Sequence, residues 1–85
     1  MPVVTMNRGT KVLKVDLTDS EFFVLDSILS REGVVPIERA ISYLIAQELI
    51  AREEAEQRDL TDFIKRAKVG TRVTLKALMD ANPTG

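Results

Sequence analysis

Lys11-Val12-Leu13-Lys14-Val15-Asp16-Leu17-Thr18-Asp19-Ser20-Glu21-Phe22 is the stretch that decides the fold. In its first half apolar and polar side chains alternate, with Leu13, Val15 and Leu17 on one side and Val12, Lys14 and Asp16 on the other. A period of two predicts a short, half-buried strand. Its second half starts a helix. Thr18 stands three residues before Glu21, the spacing at which hydroxyl and carboxylate each accept from the other residue's backbone N–H. Leu17 and Phe22 take the apolar staple positions around that cap, and Asp19 adds negative charge where the helix dipole favours it.

Toward the C-terminus, Phe22, Leu25, Ile28 and Leu29 form one apolar arc, and Gly33 suits the left-handed residue that stops a helix, which predicts helix A over about 19–32. Val34-Val35-Pro36 makes a corner, with Pro36 at the first position of helix B, where its missing N–H is no loss. Helix B is predicted over about 36–57, with Glu48 reaching Arg52 one turn on. Its side chains Ile37, Ala40, Ile41, Leu44, Ile45 and Leu49, with Tyr43, Ile50 and Ala51, spread beyond the single stripe of a surface helix. A chain this short buries only about 60–65% of the surface its unfolded form exposes. That surplus predicts a second copy of the chain, in an intertwined dimer.

The flanks carry weaker signals. Asn7, Arg8 and Gly9 break periodicity, so residues 1–9 are expected to be a flexible arm, followed by a folded unit over 10–58 and an added helical extension over 59–85. Within the extension, Asp59-Leu60-Thr61-Asp62 either caps a further helix through about Lys68 or lets helix B bend and continue. Val69-Gly70-Thr71 is a break, and Val73, Leu75, Leu78 and Met79 fit a last amphipathic turn or two, with a short strand over 72–75 as the alternative.

Composition narrows the function. The chain has 85 residues, no cysteine and no histidine, so it lacks disulfides, thiolate metal ligands and the commonest general base. Ser20, Ser27, Ser30 and Ser42 have no imidazole to activate them, and none of the glycines sits in a phosphate-cradling motif. No enzyme, no cofactor and no metal are expected. No apolar run approaches the ~18 residues of a membrane span, and Met1-Pro2-Val3-Val4 lacks the apolar core of a signal peptide. A soluble cytoplasmic protein with no membrane partner is expected, associated with the nucleoid if it binds DNA.

The net charge of -1 conceals a segregation. Arg8, Lys11 and Lys14 are the only charges up to Val15, acids dominate from Asp16 to Asp62, and Lys65, Arg66, Lys68, Arg72 and Lys76 follow with no acid before Asp80. Two basic segments thus flank an acidic centre. Either they lie on the acidic helices and neutralise them, with Glu53, Glu54 and Glu56 as partners, or they form a surface for a polyanion.

The order strand, capped helix, glycine corner and longer apolar helix resembles the ribbon-helix-helix family of DNA-binding repressors over about residues 10–52. Residues 11–17 match the family's strand; Phe22, Leu25 and Ile28 match its helix A core, Gly33 its corner, and Ile37, Ala40, Ile41 and Leu44 its helix B core. The resemblance implies an α+β, mostly helical dimer whose two strands pair into one antiparallel ribbon. Its shared core would hold Leu13, Val15, Leu17, Phe22, Leu25, Ile28, Ile37, Ile41 and Leu44. Val12, Lys14 and Asp16 would then read base edges in the major groove, with Arg8 and Lys11 on phosphates. Backbone N–H groups around Val35 and Ile37, at the start of helix B, would grip a phosphate. Two features depart from the pattern: Asp16 puts an acid on the reading face, and Val34-Val35-Pro36 stands where the family often has a hydroxyl or small polar residue, with Glu38 close by.

Three functions remain open on the sequence. One is a homodimeric, sequence-specific DNA-binding transcriptional regulator, a repressor, whose partner is double-stranded DNA. Another is a dimeric protein-interaction module, inhibitor or adaptor, on the same scaffold, docking through residues 59–81. The third is an all-helical adaptor in which residues 11–17 pack as an extended arm. Salt dependence separates the first from the others, since phosphate binding releases counterions.

Overall fold

The computed structural model describes residues 1–9, 11–53 and 60–80. Its elements run β1 (Val3–Arg8), β2 (Lys11–Asp16), α1 (Asp19–Glu32), α2 (Ile37–Ala51), α3 (Thr61–Arg66), β3 (Arg72–Thr74) and α4 (Leu75–Asp80). The class is α+β, one three-stranded sheet in the order β1-β2-β3 against helices. The arm expected at 1–9 is instead the first strand. Val4 and Met6 alternate with Val3, Thr5 and Asn7, and the antiparallel register Val3↔Asp16 to Arg8↔Lys11 seats Met6 opposite Leu13. Gly9, at φ 62, supplies the left-handed backbone that a two-residue hairpin connection needs.

On its other edge β2 pairs in parallel with β3, Lys14 beside Arg72, Val15 beside Val73 and Asp16 beside Thr74. Parallel neighbours need a crossover, and the chain from α1 through α3 provides it. The strand next to β2 is therefore β1 of the same chain, where the family resemblance implies a second copy's strand.

The helix start at Thr18 forms as the spacing predicts: Glu21 N–H donates to Thr18 Oγ1 at 3.1 Å and Thr18 N–H to Glu21 Oε1 at 2.7 Å. Gly33, at φ 78, ends α1 and donates its N–H to the Leu29 carbonyl. At α2, Pro36 is the cap residue itself rather than the first helical residue, its carbonyl accepting from Arg39 and Ala40. The helix also ends earlier than expected, at Ala51. Arg52 donates its backbone N–H to the carbonyls of Glu48 and Leu49, and Glu53 turns left-handed at φ 62. No side-chain ion pair joins Glu48 to Arg52 among the described residues. The apolar arc has run out at this point, and residues 54–57 of the expected helix lie outside the described residues.

Most of the apolar arc of α2 is covered within the chain, whereas Tyr43, Ile50 and Ala51 stay exposed. Ala40, Ile41, Leu44, Ile45 and Leu49 are all buried, in one core with Met6, Leu13, Val15, Leu17, Leu25 and Ile28. What covers them includes residues 60–80, the expected extension: Leu60, Ile64, Leu75, Leu78 and Met79 belong to that same core. Each fully buried aliphatic side chain contributes about 1.5–3 kcal/mol relative to exposure, so this segment is a large part of what holds the sheet to the helices. Of the residues expected in a shared dimer core, Ile37 is half-buried and Phe22 is 41% exposed, because the buried arc of α1 centres on Leu25 and Ile28 and leaves Phe22 at its border.

Candidate nucleic-acid interface

The sheet has one face against the core and one open face. Side chains of Met6, Leu13, Val15 and Leu17 point inward and are buried, so their neighbours along the strands point outward. The open face carries Val3, Thr5 and Asn7 from β1, Val12, Lys14 and Asp16 from β2, and Arg72 and Thr74 from β3. Lys14 lies at its middle, between Thr5 and Arg72 in register, exposed and in no ion pair among the described residues.

Asp16, the acid expected to spoil this face, is not free. Arg72 donates from Nε to both of its carboxylate oxygens, at 2.9 and 2.7 Å, and from Nη2 to Oδ1 at 2.5 Å. The Arg72 hydrogen bonds hold the Asp16 carboxyl below the usual carboxylate range; desolvation opposes them, and the charges of Arg72 and the N-terminus add to them. In turn Asp16 raises the guanidinium's affinity for its proton. The pair places one positive and one negative charge together, so neither dominates the field around Lys14.

The basic segments converge on β2. Gly70, left-handed at φ 80, donates its N–H to the Val12 carbonyl, and Lys14 donates its N–H to the Thr71 carbonyl, so the loop after α3 runs alongside β2. Thr71 closes that loop by donating from both N–H and Oγ1 to the Lys68 carbonyl. Lys11 follows the inward parity, is half-buried, and its ammonium donates to the Lys65 carbonyl in the last turn of α3. A cation there suits the helix dipole, so Lys11 ties α3 to the hairpin. Arg8 sits opposite Lys11 at the hairpin's end. Lys65, Arg66 and Lys68 are exposed around the same end, while α1 and α2 carry Asp19, Glu21, Asp26, Glu32, Glu38 and Glu48. Among the described residues, Asp16–Arg72 is the ion pair joining the acidic stretch to a basic segment; Glu54 and Glu56 lie outside them.

The start of α2 is not part of this face. Val35 and Ile37 pack against the core on the covered side of the sheet, and Pro36 offers no side-chain cap. Sequence reading missed β1 and Arg72. A signal for β1 exists in the β-branched run Val3-Val4-Thr5 with Gly9 after it, whereas nothing local marks Arg72 as the partner of Asp16. Among the described residues no group of acidic side chains could hold a metal ion, and no helix is long and apolar enough to cross a membrane. No family model, no curated protein and no solved structure matches the chain.

Proposed function

We propose that this protein is a homodimeric DNA-binding transcriptional regulator, a repressor, that meets the major groove with the outer face of its β1–β2 ribbon. The observation that carries this reading is the convergence of basic segments from opposite ends of the chain on β2, with Lys14 exposed among Thr5, Asn7 and Arg72 and the nearby acid engaged. The open face lies against the major groove, where a lysine donates to guanine O6 and N7. Lys68, exposed beside β2, supplies charge toward a phosphate. Duplex is favoured over single strands because single-strand platforms stack bases on aromatic rings. The aromatic residues here, Phe22, Phe23, Tyr43 and Phe63, all belong to helices.

The family resemblance supports this function in part. β2, α1 and α2 follow in the family's order, but the ribbon is closed within one chain. An intertwined ribbon between two copies of β2 would require β1 and β3 to leave it. Docking of a protein through residues 59–81 has less support, since Leu60, Ile64, Leu75, Leu78 and Met79 are already buried. Fluorescence anisotropy against random and selected duplexes, at about 50 and 200 mM salt, tests the proposal: affinity should fall steeply between them. No binding at the lower salt rejects it.

A further inference from the structure

β1 is an edge strand, and its pairing pattern leaves a matched set of backbone groups unused. Leu17 N–H donates to the Pro2 carbonyl, which fixes the even-numbered residues of β1 as those bonded to β2. Val3, Thr5 and Asn7 therefore aim their N–H and C=O groups away from the sheet, and among the described residues nothing takes them. Edge strands are usually blunted by lysine, proline, a bulge or shortness. β1 has no proline or lysine within it, and its register with β2 runs unbroken over six residues. By contrast the opposite edge, β3, is only three residues long and passes straight into α4.

We propose that a second copy of the chain occupies this edge, β1 pairing antiparallel with β1 about a two-fold axis at Thr5 to make one continuous six-stranded sheet. The register follows from parity. Outward-bonding residues must face one another, and placing Thr5 opposite Thr5 also sets Val3 opposite Asn7 at both ends, giving three pairs that each exchange two hydrogen bonds. Shifting the copies to set Met6 opposite Met6 keeps only two such pairs within the strands and puts Val4 against Arg8.

Side chains agree with the first register. On the open face it brings together Thr5 with Thr5 and Val3 with Asn7, with no like charges opposed. On the core face it sets Val4, half-buried in one copy, against buried Met6 of the other, so the core continues across the joint. The strand that a foreign protein would have to supply is thus already present in the chain. Across the joined sheet, Arg72, Lys14 and Thr5 of one copy line up with Thr5, Lys14 and Arg72 of the other. The two Lys14 strands lie three spacings, about 14 Å, apart.

This interface rests on the homodimer half of the proposed function and not on DNA. Sedimentation of the full chain from low to high micromolar concentration, with Thr5→Pro and Thr5→Lys, tests it. Proline is tolerated where an N–H faces outward from an edge, so Thr5→Pro should keep the wild-type circular dichroism spectrum. Lysine should set like charges opposite each other at the two-fold axis. Wild type should sediment as a dimer, each folded variant as a single copy, and the amides of Val3, Thr5 and Asn7 should exchange slowly in wild type alone. Should Thr5→Pro unfold, Thr5→Lys decides. A wild type that stays a single copy, or a folded Thr5→Lys that dimerises as wild type does, overturns the interface. Loss of DNA binding with the dimer intact would count against the DNA function alone.

Discussion

Arg72 grips Asp16 across the β2–β3 ladder through both carboxylate oxygens, although 56 residues separate the two in the chain. Arg72 remains 61% exposed at its side chain, so water screens the pair and its part in stability is small. Its larger effect is on charge. Held below the usual carboxylate range, Asp16 contributes stability that is present above its unfolded-state value and lost as pH falls through the lower folded-state value. In Arg72→Gln the Asp16 titration, followed by carboxyl carbon NMR, should move back up toward the ordinary range. An unchanged midpoint would show that the fork does not hold in solution.

Losing Arg72 also leaves Asp16 as a bare acid two residues from Lys14. Arg72→Gln should therefore weaken DNA binding by more than one phosphate contact removes, and Asp16→Asn in that background should recover part of the loss. Anisotropy titrations of the three proteins at one salt concentration read this directly.

Lys14→Ala should leave melting unchanged, because its ammonium makes no ion pair among the described residues, and should cost about 1–3 kcal/mol of discrimination between duplexes. Arg8→Ala and Lys68→Ala should act differently, weakening binding to all sequences about equally and flattening the salt slope by about one unit each. Equal affinity of wild type and Lys14→Ala for a selected duplex would mean the ribbon is not a reading head.

The segment 60–80 is core, and its removal should behave accordingly. Leu44→Ala in α2 and Ile64→Ala in α3 should each lower unfolding free energy by about 2–5 kcal/mol in urea titrations. A chain ending at Glu53 would lose β3 and the cover over Leu13 and Val15, and should show no cooperative transition. Near-native stability of Ile64→Ala would return this segment to the role of an appendage.

Thr18→Ala removes one half of the capping box and should cost about 1 kcal/mol, with the amide of Glu21 exchanging faster. The effect should be local, since the Glu21 N–H is the donor that loses its acceptor.

What the sequence by itself determined is what neighbouring residues settle among themselves. Alternation from Lys11 to Leu17, the Thr18–Glu21 box, Gly33 as a stop and the apolar arc from Ile37 to Leu49 each involve groups within a turn or a strand step of one another. The α+β class and the bounds of α1 follow from them. Tertiary structure alone decided what lies beside β2, what covers α2 and what neutralises Asp16. Those choices join Val4 to Val15 through a hairpin, Ile64 to the core around Leu44, and Arg72 to Asp16 across most of the chain. An apolar face shows in a sequence that it must be buried, but it carries no local mark of its cover. A second copy and the chain's own later residues satisfy it equally well, until the path of the backbone brings one of them within reach.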